Sequence, residues 1–171
     1  MRERPTVRVL LIGPDKRILL IRFHDKRLNG AKVFWATVGG GRDPGESVAE
    51  AALREIREET GLTDVTLGPV VWWDDVVITV DGEPLYFRET YIVAHAPTTA
   101  LTFDGWTDLE REVIKDMRWF TVAEIAAAAE QVYPEVLAAW LPDILAGRYP
   151  DQPYWIPREA HERAAPTTHG E

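Results

Sequence analysis

Apolar and polar positions fall into runs of two distinct kinds. Residues 6–13 (Thr-Val-Arg-Val-Leu-Leu-Ile-Gly) and 17–23 (Arg-Ile-Leu-Leu-Ile-Arg-Phe) are apolar, β-branched stretches of strand length, and Pro14-Asp15-Lys16 between them is turn chemistry, so an antiparallel pair is expected. A third strand, 33–38, runs into the glycine-rich loop Gly39-Gly40-Gly41-Arg42-Asp43-Pro44-Gly45. The next segment changes period. Ser47 and Glu50 have capping-box spacing, good helix formers continue through Thr60, and Gly61 stops them, which predicts a helix over 47–60. Segments 65–72, 75–80 and 84–95 are strand-like, and Asp81-Gly82 marks a hairpin between the last two. Residues 97–111 read as loop, 116–120 as strand, and 121–130 and 134–146 as helices. From Tyr149 onward, four prolines and little periodicity predict a packed arm or a frayed tail. Strands and helices do not alternate regularly, so the class is α/β of the α+β kind: a mixed sheet covered by helices, not a doubly wound fold.

A chain of 171 residues suits one domain with a single sizeable core. With 46% hydrophobic and 27% charged residues it has the composition of an ordinary globule. No run has the length of a membrane span and the first residues lack a signal-peptide stretch, so a cytoplasmic location and no membrane partner are expected. The absence of cysteine excludes disulfides, thiolate metal sites and a cysteine nucleophile. The formal charge of −9 disfavours binding to nucleic acid, which draws on clustered Lys and Arg. An anionic substrate would need a cation as intermediary.

On a helix turning about 100° per residue, Glu55, Glu58 and Glu59 share one arc, with Ala49, Leu53 and Ile56 beside it as core candidates. Val48, Ala51 and Ala52, one turn upstream, are small and would leave room for a ligand. Taken alone, Arg-Glu-Ile-Arg-Glu-Glu reads more readily as a salt-bridged surface helix, because Glu50–Arg54 and Arg54–Glu58 have the favourable spacing. Like charges at these spacings cost a few tenths of a kcal/mol each unless a cation sits between them. An all-oxygen donor set without histidine or thiolate favours magnesium (Mg2+) or manganese (Mn2+) over zinc. The loop Gly40-x4-Gly45-Glu46-Ser47 nearly matches a P-loop but carries Glu46 where that motif needs lysine, so it does not cradle phosphate directly.

Loop and helix together form one long pattern. It resembles the signature of the Nudix hydrolases, G-x5-E-x7-R-E-U-x-E-E-x-G-U with U aliphatic, at Gly40, Glu46, Arg54, Glu55, Ile56, Glu58, Glu59, Gly61 and Leu62, with every fixed position filled. The resemblance implies an α/β/α sandwich over 1–147, with 148–171 as a C-terminal arm or tail outside it. It also implies hydrolysis of a diphosphate linkage in a nucleoside diphosphate derivative or nucleoside triphosphate, a small-molecule partner, and in many relatives a homodimer. The metal ligands it implies are Glu55, Glu58, Glu59 and the carbonyl of Gly39, with Glu46 and Arg54 pinning loop to helix. A general base is expected on a loop distant in sequence, where Glu110 and Glu112 are candidates and Glu112 is preferred; Glu58 is the alternative. Arg22, at a strand end, is the candidate phosphate contact. Trp72, Trp73, Phe34, Trp35, Tyr86 and Phe87 offer stacking surfaces, though core packing suits most of them. His24, His95, His161 and His169 show no ligand spacing. Two rival readings are an isomerase of the same fold, which needs a catalytic cysteine, and a non-catalytic binding module, in which the signature is commonly degraded.

Overall fold

The computed structural model describes residues 1–28 and 32–160. Its strands are β1 (Arg2–Ile12), β2 (Ile18–Asp25), β3 (Lys32–Gly41), β4 (Thr66–Val80), β5 (Glu83–His95), β6 (Ile114–Phe120), β7 (Val132–Tyr133) and β8 (Tyr154–Trp155). The helices are α1 (Val48–Thr60), α2 (Asp108–Val113), α3 (Val122–Ala126) and α4 (Leu137–Leu145). The strands form one mixed sheet in the order β6-β2-β3-β1-β5-β4-β8, with β7 attached to β3. β1 runs parallel to β5 over the whole length of β1, whereas β2–β3, β1–β3, β2–β6 and β4–β5 are antiparallel.

Both faces of the sheet are covered, as the near-continuous apolar runs of β1 and β2 require. Val7, Val9, Leu11, Leu19 and Ile21 pack on one face with Ala51, Ala52 and Ile56 of α1. Leu10, Ile12, Ile18 and Leu20 pack on the other with Ile125 of α3 and Leu137, Leu141 and Ile144 of α4. β3 pairs with β1 only at Val38–Gly41 and with β2 from Thr37 back to Lys32, so the sheet divides along this strand. A cleft opens at that division.

Several expected boundaries moved. The segments 65–72 and 75–80 are one strand, because Asp74 and Asp75, poor strand formers, are paired across to Glu89 and Arg88 of β5. The Asp81-Gly82 turn has positive φ at both residues (51° and 80°), the type I′ geometry of a tight hairpin. The stretch 97–111, expected to be loop, contains the start of α2, whose Thr107 and Glu110 form a complete capping box. On α1, Ala49 and Leu53 are exposed and Ala51 and Ala52 are buried, so the small residues do not leave space for a ligand. They let the helix backbone approach β1 and β3 closely. Beyond α4 the chain returns to the sheet: Tyr154 and Trp155 pair with Trp72 and Trp73 of β4, and Ile156 and Ala160 are buried in the core under α4. His161 and His169 lie outside the described residues. Among the described residues no helix is long and apolar enough to cross a membrane.

Candidate metal and substrate site

The site begins at the end of β3. Gly39 has φ 152° and an added Cβ there would run into the Val7 carbonyl oxygen, so the strand holds a conformation and a packing that side chains oppose. At Gly40 an added Cβ would stand 2.6 Å from Glu55 Oε1; the missing side chain is the space the Glu55 carboxylate occupies. The Gly39 N–H donates to Glu59 Oε1 at 2.9 Å. Ser47 caps α1 through a reciprocal pair with Glu50, and the helix ends at Gly61 with φ 76°. Loop geometry and helix phase together therefore press two carboxylates against the end of a strand.

Glu55 and Glu59 are 7% and 2% exposed, and a carboxylate oxygen of each lies within 4.8 Å of the other and of one from Glu110 on α2. Burial, then the neighbouring Glu55, push the Glu59 carboxyl well above the usual carboxylate range. Burial likewise raises Glu55, although Arg54 works against it. Three acidic groups at this separation, two of them buried, make an arrangement that a hard divalent cation would stabilise, and their all-oxygen chemistry fits magnesium or manganese. Glu58 stands beside the trio: its carboxylate accepts at 3.2 Å from the same Arg54 Nη1 that bonds Glu55, and it is about one-third exposed. Arg54 also gives Nε and Nη2 to the two oxygens of Glu46 (2.7 and 2.9 Å), Nη1 to Glu55 (3.0 Å) and Nη2 to the Gly41 carbonyl (2.9 Å). Glu46 takes the Asp43 N–H as well, and Arg54 with this N–H holds its carboxyl down at about 2. One guanidinium thus ties the glycine loop to the helix.

Glu110 and Glu112 are two residues apart on a short helix and so point to different sides. Glu110 joins Glu55 and Glu59; Glu112 is exposed, and its backbone carbonyl accepts from Lys115 Nζ. Arg22 does not line the cavity described next: its Nε and Nη2 are both given to Glu130 at 2.8 Å.

Two of the trio, Glu59 and Glu110, line a cavity of about 600 Å³ in the sheet division together with Gly39. Phe23 and Phe34, stacked at 5.5 Å, line one side with Tyr133, which meets Phe34 edge-on. Val76, Ile78 and Phe87 of the β4–β5 hairpin line the cavity too. Of the aromatic candidates, Phe34 and Phe87 reach this cavity, Trp35 and Trp72 are core residues, Trp73 packs on Trp155, and Tyr86 sits against Arg88. Arg8, Glu89, Tyr91 and Asp74 add a polar patch to the lining. Sequence reasoning passed over Arg8; the signal was a lone charge inside the apolar run 6–13.

A mixed sheet between helices, with an acidic helix meeting a glycine-rich strand end at the rim of a cleft, defines the class. The family model described as NUDIX domain matches residues 2–141, and the chain belongs to that family. Among curated relatives, it is 41% identical over 83 residues to an RNA pyrophosphohydrolase of Caulobacter vibrioides, covering 48% of this chain and 44% of that protein. It is 44% identical over 102 residues to the nucleoside triphosphatase NudI of Salmonella paratyphi B, covering 54% of this chain and 67% of that one. The chain thus spans less than half the length of the first relative and about two-thirds of the second. A NUDIX hydrolase from Nitrosomonas europaea shares the fold, with a TM-score of 0.59 at 22% identity over 86% of this chain and 92% of its own.

Proposed function

We propose that this protein is a divalent-cation-dependent pyrophosphohydrolase acting on a small nucleotide, either a nucleoside triphosphate or a nucleoside diphosphate linked to another group. The observation that carries the reading is the trio Glu55, Glu59 and Glu110 at the edge of a nucleotide-sized cavity. Magnesium is the expected ion, with manganese as substitute; when bound it polarises phosphoryl oxygens and lowers the pKa of coordinated water. Glu55, Glu59 and Glu110 are the side chains that would hold it, with the Gly39 carbonyl as a further donor and Glu58 close by on Arg54. Glu46 and Arg54 fix the loop against the helix, so the carboxylates are set before substrate arrives. Phe23, Phe34 and Phe87 give the cavity apolar surface suited to a base, and exclude water from one side of the diphosphate. The proton acceptor is proposed among Glu58, Glu110 and Glu112; proximity to the trio favours Glu110 over Glu112.

The relatives' names, RNA pyrophosphohydrolase and nucleoside triphosphatase, bracket the substrate. The net charge of −9 favours a mononucleotide over a polymer, whose phosphates the surface would repel. Location in the cytoplasm and self-association as a homodimer complete the proposal, the latter decided by mass in solution. The activity is tested by incubating the protein with magnesium and a panel of nucleoside triphosphates, oxidised nucleotides, nucleotide sugars, ADP-ribose and dinucleoside polyphosphates, and separating the products. Cleavage at a diphosphate linkage, abolished by EDTA, is expected. A panel left intact would favour a binding module instead, and cleavage indifferent to EDTA would remove the proposed role of the metal.

A further inference from the structure

The carboxylate-paired arginines near the cleft and on α1 differ in how many donors they spend. Arg22 gives Nε and Nη2 to Glu130, Arg27 gives Nε and Nη2 to Asp25, and Arg54 uses all three nitrogens. Arg8 gives only Nε, at 2.9 Å, to Glu89 Oε2, and neither Nη group bonds to a described residue. Its side chain is 21% exposed and forms part of the cavity lining. The pairing that holds it is buried and braced: Glu89 is 6% exposed, and the same Oε2 takes the Tyr91 hydroxyl at 3.2 Å, from a tyrosine 3% exposed. The guanidinium is thus anchored at one corner, with its two outer groups available to a ligand.

Its place in the sheet matters as much. Arg8 stands opposite Gly39 in the β1–β3 ladder, and the Gly39 N–H is the donor that holds Glu59. Through that pairing Arg8 stands across the ladder from the strand end that holds Glu59. A cation beside a divalent-ion site is repelled by the ion unless an anion lies between them, and a planar fork with free Nη donors matches the spacing of phosphoryl oxygens. A phosphate bridging both would satisfy the metal and the arginine together.

Building on the proposed hydrolase reading, we infer that Arg8 is a substrate-binding residue whose Nη groups take oxygens of a phosphate on the nucleoside side of the acidic trio. Glu89 and Tyr91 are positioning residues that hold the fork. The polyphosphate would then be gripped from two directions, by the ion at Glu55, Glu59 and Glu110 and by Arg8 from the β1 strand.

Inorganic tripolyphosphate with magnesium isolates this contact, because it has no base, and its binding is read by calorimetry alongside a phosphate-release assay that shows whether it is also cleaved. Arg8→Gln alone strands the buried Glu89 carboxylate and risks unfolding, so the informative protein is the Arg8→Gln/Glu89→Gln double variant, with Arg8→Lys alongside. The double variant is expected to fold, to keep its thermal stabilisation by magnesium alone, and to bind magnesium tripolyphosphate about 10- to 100-fold more weakly, the range of a lost charged hydrogen-bonding group. Arg8→Lys should recover part of this loss, and Tyr91→Phe should show a smaller one. For any nucleotide that is hydrolysed, KM should rise by a similar factor with kcat little changed. A folded double variant with wild-type affinity for tripolyphosphate would overturn the assignment, as would a loss seen only with nucleotides and varying with the base. If the native protein binds tripolyphosphate through Arg8 yet cleaves nothing, the hydrolase reading fails while the Arg8 site stands.

Discussion

Neutralising Glu59 should make the metal-free protein more stable and the magnesium-loaded protein less responsive. Glu59 is 2% exposed, and its carboxylate lies within 4.8 Å of Glu55 and Glu110. At an effective dielectric of about 20, two unit charges at that distance repel by about 3 kcal/mol. Burial and the neighbouring Glu55 hold the Glu59 carboxyl well above the usual carboxylate range, which relieves part of this repulsion, so roughly 1–2 kcal/mol remains to be recovered. Glutamine keeps the oxygen that accepts from Gly39 N–H and offers its amide to Glu55, so the Glu59→Gln substitution removes charge without a cavity. For a chain of this size the gain corresponds to a rise in Tm of about 3–6 °C in EDTA. The pH dependence has a definite sign. A carboxyl whose folded pKa lies above its unfolded value contributes stability below the unfolded pKa and loses it as pH rises through the folded one. Metal-free wild type should therefore weaken over that window, and the variant much less. At about 100 times Kd, magnesium should stabilise wild type by about 2–3 kcal/mol and the variant by well under half of that. Thermal unfolding in EDTA and in saturating magnesium, across pH, gives every quantity. A variant that is less stable than wild type in EDTA and gains as much from magnesium would refute both the repulsion and the ligand role.

Three further outcomes are expected. Glu110→Gln should lower magnesium-dependent turnover by about 10- to 100-fold, whereas Glu112→Gln should stay within about 2-fold, as steady-state assays on the two proteins will reveal. The Glu46 carboxyl is depressed to about 2, so its contribution to stability is present above the ordinary carboxylate pKa and disappears as pH falls from there toward about 2; acid titration of Glu46→Gln should lack that part of the wild-type slope. Ile156 is 6% exposed beneath α4, and truncation to alanine should cost about 2–4 kcal/mol in urea unfolding, whereas a cost under about 0.5 kcal/mol would mean that the arm does not belong to the fold.

What the sequence determined by itself was local. The apolar, β-branched runs of β1 and β2, the Ser47–Glu50 cap, the stop at Gly61 and the Asp81-Gly82 turn are fixed by short-range stereochemistry, and the fixed distance from Gly40 to Glu59 carried the family with it. The same local rules could not rank the glutamates. Glu55, Glu58 and Glu59 occupy one arc of the helix, and only the approach of β3, made close by Gly39 and Gly40, buries two of them while leaving Glu58 to Arg54. The third member, Glu110, is brought in by a six-residue helix about 50 residues downstream, whose cap is legible in Thr107-x-x-Glu110 but whose orientation depends on packing against β2 and β6. Arg8 and Glu89 are 81 residues apart and meet because β1 and β5 run parallel. That pairing, and the division of the sheet at β3 that opens the cavity beside them, follow from long-range burial of strands on both faces and have no signature in any short stretch of chain.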